Sequence, residues 1–200
     1  PRSNQRWAMK EAGMQPGAIA CNAALSSCEK GQKWELALFL FEALMDDGME
    51  ANTITFSAAI SACEKGGRWE WALGLLGAMS EARVQADVIT YNAAVSACEK
   101  GNQWVQAVHL LENLRHRRME PDIITYSAAI SALEKGQQAA QAVRLLKVMQ
   151  QDGFRPNLIT YSAAISACAK GLQQEHALKL LAATQQQRLT ANVIAYSAAI

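Results

Sequence analysis

The feature that most limits the fold of this chain is a period. ITFSAAISACEKG begins at Ile54, ITYNAAVSACEKG at Ile89, ITYSAAISALEKG at Ile124 and ITYSAAISACAKG at Ile159, each start 35 residues after the last. The same frame extends back to IACNAALSSCEKG at Ile19 and forward to IAYSAAI at Ile194. Five complete units therefore span 18–52, 53–87, 88–122, 123–157 and 158–192. Residues 1–17 and 193–200 read as the tail of one unit and the head of another, so the expectation is one continuous repeat domain belonging to a longer array. A period of this length kept without a slip marks stacked units that contact only their neighbours.

Inside a unit the pattern is helix, tight turn, helix. In 88–122, Ile89, Ala93, Val95 and Ala97 mix with small polar residues up to Gly101, a favourable residue just past a helix end. Trp104, Ala107, Val108, Leu110, Leu111 and Leu114 then recur at three- and four-residue spacing, as an amphipathic second helix requires. Gly48 and Gly153 close second helices elsewhere, and Pro121 or Pro156 follows in the connection. Ala pairs such as Ala93–Ala94 and Ala128–Ala129 leave little side chain between first helices, which favours close packing of neighbours. One hairpin cannot bury its own apolar face, so the units must stack. The fold expected is all-α: an α-solenoid of helix-turn-helix hairpins wound as a right-handed superhelix.

Several function classes fall away. Half the residues are hydrophobic and 18% charged, with a formal net charge of +1, so the composition is foldable and no global basic field marks a nucleic-acid partner. No apolar run reaches the ~18 residues of a membrane span, and no insertion is expected. No cleavable signal pattern opens the sequence. Almost every Ser and Cys belongs to a column repeated every 35 residues, which would demand one active site per unit. His109, His116 and His176 lie in second helices without a repeated acid or nucleophile, and no Cys-x-x-Cys pair suggests zinc. Cys28, Cys63, Cys98 and Cys168 share one column with Leu133 and read as small core hydrophobes. No enzyme, cofactor or metal is expected.

The units resemble the pentatricopeptide-repeat proteins over the whole chain. That family has a 35-residue period, a first helix of the kind Val-Thr-Tyr-Asn-x-Leu-Ile, a Cys-Lys-x-Gly turn, an Ala-Leu-x-Leu second helix and a Pro-Asp ending. VITYNAAVSACEKG, the Ala107–Leu111 stretch and Pro121–Asp122 reproduce that order. The tetratricopeptide repeats, with 34 residues and a Trp-x-x-Leu-Gly-x-x-Tyr start, do not fit. The departures are Cys21 in place of the aromatic and Ala51, Ala86 and Ala191 in place of proline. Gly17 stands where a polar base-reading residue is expected, so the unit that it closes should be silent.

The resemblance implies sequence-specific binding of single-stranded RNA at about one base per unit, in mitochondria or plastids, for RNA stability, processing or translation. It assigns base reading to Asn22 with Asn52, Ser57 with Asp87, Asn92 with Asp122, Ser127 with Asn157, and Ser162 with Asn192. The implied site is near 5′-(C/U)GUAA-3′. Asn or Asp before a helix is also a routine N-cap, and both roles together are expected. Ile19, Ile54, Ile89, Ile124, Ile159 and Ile194 correspond to the family's base wedge; the competing reading is a core or staple residue. Lys30, Lys65, Lys100, Lys135 and Lys170 offer one cation per unit for one phosphate per nucleotide, against the alternative of a solvated charge on the helix dipole. The adjacent Glu29, Glu64, Glu99 and Glu134 are expected to lower the net field while projecting elsewhere. The competing function is a protein-interaction scaffold within a large organellar complex. A protein partner or a fused domain outside this segment fits either reading.

Overall fold

The computed structural model describes residues 18–186, and within them it contains ten α-helices and no strand. The first helices of successive units are α1 (Ala18–Lys30), α3 (Thr53–Lys65), α5 (Val88–Lys100), α7 (Ile123–Lys135) and α9 (Leu158–Lys170). The second helices are α2 (Trp34–Asp46), α4 (Trp69–Glu81), α6 (Trp104–His116), α8 (Ala139–Gln151) and α10 (Gln174–Gln186). The partial units at either end, and Gly17, Asn192 and Ile194 with them, lie outside the described residues.

The packing follows from which faces are apolar. Each second helix buries one stripe: Ala37, Leu38, Phe41 and Leu44 in α2, and Ala107, Leu110, Leu111 and Leu114 in α6. First helices are enclosed far more fully. In α3, Thr55, Phe56, Ala58, Ala59, Ile60, Ala62 and Cys63 are all buried. The contact pattern explains the difference. Each first helix packs against the first helix of the next unit, while α2, α4, α6 and α8 each pack against their own first helix and that of the following unit. Ala59, Ala94, Ala129 and Ala164 are fully buried, so methyl-sized side chains fill the space between stacked first helices. The result is an all-α solenoid.

The turn glycine has a different cause from the one its position suggests. Gly66, Gly101, Gly136 and Gly171 have φ between −85° and −78°, ordinary right-handed values that any residue adopts. The left-handed residue is the next one: Gln32, Gly67, Asn102, Gln137 and Leu172 take φ of 55° to 67°. There the chain closes as a Schellman motif, with Arg68 N–H donating to the Cys63 carbonyl and Gln103 N–H to that of Cys98. Column glycines are small for the neighbour's sake. A Cβ on Gly101 would stand 2.2 Å from Cδ1 of Trp69, the residue that opens the preceding unit's second helix. Trp34 approaches Gly66 and Trp104 approaches Gly136 in the same way, at 2.3 and 2.2 Å. At the last joint Ala139 replaces the indole, and its Cβ would lie 2.7 Å from a Cβ on Gly171. Gly48 and Gly153, in contrast, do hold the left-handed position after α2 and α8, with φ of 71° and 86°.

Gly101→Ala should therefore destabilise by about 1–3 kcal/mol through overpacking against Trp69. In a Trp69→Ala background the same change should cost little. Urea unfolding of the four proteins measures this coupling, and an equal cost in both backgrounds would mean that the glycine serves the backbone instead.

Candidate functional site

The last residue of each unit caps the next first helix. Asn52 Oδ1 accepts from Thr55 N–H at 3.0 Å, Asp87 Oδ1 from Thr90 N–H at 2.8 Å, Asp122 Oδ1 from Thr125 N–H at 2.9 Å and Asn157 Oδ1 from Thr160 N–H at 2.9 Å. All four hold extended backbone, as an N-cap does. The cap uses one side-chain oxygen and leaves the other side-chain atom of each amide or carboxylate for further contacts, as when Asp122 Oδ2 accepts from Asn92 Nδ2.

The column residue of the first helix reaches the same threonine from the other side. Thr55 Oγ1 lies 2.7 Å from Asn22 Oδ1, Thr90 Oγ1 2.5 Å from Ser57 Oγ and Thr160 Oγ1 2.9 Å from Ser127 Oγ. Thr125 donates to Asn92 Oδ1 in the remaining unit. Each hydroxyl also lies 2.6 to 3.0 Å from the Oδ1 of its own cap. The two column residues of one unit are thus joined through a buried threonine of the next. Sequence reading singled out both ends of this link and passed over its middle. The signal was there, as an Asn/Asp-x-x-Thr pattern at the first-helix starts 52–55, 87–90, 122–125 and 157–160.

Counting protons fixes what each pair can still offer. Thr90 gives its only hydroxyl proton to the Asp87 carboxylate, so Ser57 must donate to Thr90. Ser57 and Asp87 Oδ2 are then left as acceptors. Thr160 likewise donates to Asn157 Oδ1, which leaves Ser127 an acceptor and Asn157 Nδ2 a donor. In the Asn22 and Asn92 units the amide oxygen faces threonine, and Nδ2 turns the other way. Asn92 Nδ2 spends one hydrogen on Asp122 Oδ2 at 2.9 Å and keeps a second. Ser162 differs: its Oγ is buried without a hydrogen-bond partner. The residue in the threonine column after it is Ala195.

The isoleucine column is on the surface. Ile19, Ile54, Ile89, Ile124 and Ile159 are between 60% and 87% exposed, too open for core residues. The lysine column is ion-paired in a way that the sequence did not suggest. Lys65 lies 2.9 Å from Glu29, Lys100 2.6 Å from Glu64, Lys135 2.7 Å from Glu99 and Lys170 2.5 Å from Glu134. Each glutamate reaches the lysine of the next unit. Such part-exposed pairs contribute at most about 1 kcal/mol apiece, and an ammonium with one donor spent keeps two; Lys135, which also donates to the Glu99 carbonyl, keeps one.

A pentatricopeptide repeat domain model matches residues 7–68 and 144–200, a PPR repeat family model matches 86–135, and a PPR repeat model matches 54–84 and 124–154. The chain belongs to the pentatricopeptide repeat family. Among solved structures it is similar to the pentatricopeptide repeat protein PPR10 from maize, with a TM-score of 0.70 and 23% identity over 96% of this chain and 27% of that one. The same maize protein in complex with an 18-nucleotide psaJ RNA element gives 0.64 and 22%, over 99% of this chain and 33% of that one. The PPR domain of Arabidopsis thaliana protein-only RNase P 1, in complex with tRNA, gives 0.78 at 12%, over 88% of this chain and 92% of that one. The chain thus spans about a quarter of the maize protein. A comparison with curated proteins finds no match.

The pentatricopeptide core contains the thiols. Cys21, Cys28, Cys63, Cys98 and Cys168 are all buried. Burial pushes the Cys63 and Cys98 thiols up to about 12. Among the described residues no group of three or more His, Cys, Asp or Glu side chains comes together to hold a metal. An unfolded thiol titrates near 8.5, so between about pH 8.5 and 12 the unfolded chain loses these protons before the folded one. Stability should therefore be full below that window and fall as pH rises through it. Urea midpoints across the window should decline less in a Cys63→Ala/Cys98→Ala variant, and an identical decline would assign the loss to other groups.

Proposed function

We propose that this chain binds single-stranded RNA, one base per unit, and reads each base with the two column residues that a shared threonine holds together. That link is the observation that carries the reading. The solved relatives in complex with an RNA element and with tRNA support the same ligand class.

The free donors and acceptors fit the four bases consistently. In this reading the last residue of the unit faces the central ring nitrogen, and the first-helix residue faces the neighbouring 2-position. Ser57 and Asp87, both acceptors, suit guanine N2–H₂ and N1–H. Asn92 as donor and Asp122 as acceptor suit uracil O2 and N3–H. Asn22 and Asn52 offer two donors, which suit cytosine O2 and N3. Ser127 with Asn157 offers an acceptor and a donor; adenine N1 takes the donor, and its C2–H makes no demand on the serine. The implied core is 5′-CGUAA-3′. Exposed isoleucines between successive readers supply the spacers; stiff β-branched side chains lose little rotamer freedom in that role. The paired lysines donate their remaining hydrogens to phosphates and add affinity without choosing sequence. We place the activity in a mitochondrion or plastid, as a passive binder that shields or presents a transcript.

A protein-scaffold reading has one observation in its favour. Leu36 and Trp71 are 45% and 50% exposed beside a groove of about 470 Å³ that Trp34 and Phe39 also line. Selection from random RNA separates the two: an enriched CGUAA core supports the reader, and an unenriched pool supports the scaffold.

Asn157→Asp should turn the fourth position from adenine to guanine, because a carboxylate accepts from N1–H and leaves adenine N1 without a donor. The switch should be worth about 1–3 kcal/mol, read as relative affinity for CGUAA and CGUGA at one fixed salt concentration. Unchanged preference would reduce Asn157 to a helix cap. Changing Lys65, Lys100 and Lys135 together to Gln should weaken all RNAs alike and flatten the salt slope by roughly 0.7 per lost contact. An unchanged slope would mean that these lysines serve only their glutamates.

A further inference from the structure

We infer that the buried threonine column, Thr55, Thr90, Thr125 and Thr160, sets the fidelity of base reading by fixing the hydrogen-bond polarity of each reader. The inference rests on the RNA-reading function proposed above and goes beyond it. Family resemblance gave these residues no role, and none of them is exposed to a ligand: their exposures are 1%, 0%, 0% and 0%. They act as positioning residues, through the side chains on either side.

The chemistry turns on serine. A free serine hydroxyl can donate or accept, so it cannot tell a pyrimidine O2 from guanine N2–H₂. Ser127 has lost that ambivalence, because its proton is directed at Thr160 Oγ1, whose own proton goes to Asn157 Oδ1 2.8 Å away. It can only accept, and a pyrimidine O2 meets it lone pair to lone pair. The threonine thereby makes serine a purine reader. Toward Asn92 the arrangement is the converse: the amide oxygen faces Thr125, and Nδ2 spends one hydrogen on Asp122 Oδ2 and keeps one that suits a pyrimidine O2.

The chain contains its own control. Units 123–157 and 158–192 present the same reading pair, Ser127 with Asn157 and Ser162 with Asn192. The first is served by Thr160, whereas the residue that would serve the second is Ala195, outside the described residues. Ser162 Oγ is correspondingly the buried side-chain oxygen left without a hydrogen-bond partner. With no hydroxyl in the threonine column to receive its proton, Ser162 is not held as an acceptor, and a pyrimidine O2 at this position is not excluded. Two units with identical readers should thus differ in stringency, the fourth position excluding cytosine and the fifth admitting it.

The test measures binding of the whole chain to CGUAA, CGUCA and CGUAC oligonucleotides at one salt concentration. Wild type should discriminate against cytosine about tenfold at the fourth position and less than about threefold at the fifth. Thr160→Val, which keeps the shape and removes the hydroxyl, should lower the fourth-position ratio to the fifth-position level. Thr160→Ser should restore it. Ala195→Thr should raise the fifth-position ratio toward tenfold, and this gain does not depend on the valine variant's folding. A merely structural threonine would lower affinity for all three RNAs together and leave the ratios alone. Ratios unmoved in both Thr160→Val and Ala195→Thr, with wild type still preferring adenine at the fourth position, would overturn the threonine inference and leave base reading intact. Equal wild-type affinity for CGUAA and CGUCA would overturn both.

Discussion

Neighbouring units stabilise one another because no unit can stabilise itself. A pair of 13-residue helices has too little apolar surface to enclose its own core, so each first helix is buried only when another lies against it. This requirement reaches the smallest details. It selects alanine at Ala59, Ala94, Ala129 and Ala164, and it keeps glycine where the backbone would accept any residue, since the preceding indole occupies that space. The polar links obey the same logic: threonine to reader and glutamate to lysine both run from one unit to the next. The arrangement of the candidate site is therefore a by-product of stacking, and a unit in isolation would have no complete site.

Much of this was legible in the sequence, because a fixed period turns local signals into columns. The hairpins were readable from apolar spacing in residues such as Trp104, Leu110 and Leu114. The N-caps Asn52, Asp87, Asp122 and Asn157 were readable from residue type and place. What could not be read were interactions whose two ends are about 32 to 36 residues apart. Gly101 carries a cap-like signature in the sequence, yet its cause is Trp69 in the unit before. Glu64 is adjacent in sequence to Lys65, and helix geometry alone points it away; only the next unit's stacking brings it 2.6 Å from Lys100. Thr90 looked like an ordinary β-branched residue in a helix start until its hydroxyl was placed between Ser57 and Asp87.

The near-neutral charge takes on a different meaning in this light. A groove with a column of free lysines would hold any polyanion, and the attraction would swamp differences of a few hydrogen bonds. Here Glu29, Glu64, Glu99 and Glu134 neutralise their neighbours' lysines within the fold. In the RNA-reading function proposed above, weak attraction at every phosphate would leave more of the binding free energy to the base contacts, where discrimination arises.

The substitution of Ala139 for tryptophan has a thermodynamic consequence for the array as a whole. One cluster of buried residues runs from Cys21 to Met149, whereas a second joins Ile130, Leu133, Ala142 and Leu146 to Tyr161, Ala164 and Ala167, and a third joins Ala139 and Val143 to Ile165, Cys168 and Ala177. A repeat array behaves as a one-dimensional lattice whose stability is a sum of site and nearest-neighbour terms. In such a lattice the boundary between folded and unfolded stretches settles where the coupling is weakest. A methyl group over Gly171, where Gly66, Gly101 and Gly136 each meet an indole, leaves the joint between units 123–157 and 158–192 with the least apolar contact at that position. Partial melting should then release α9 and α10 together, as one cooperative block, before the preceding units lose any structure.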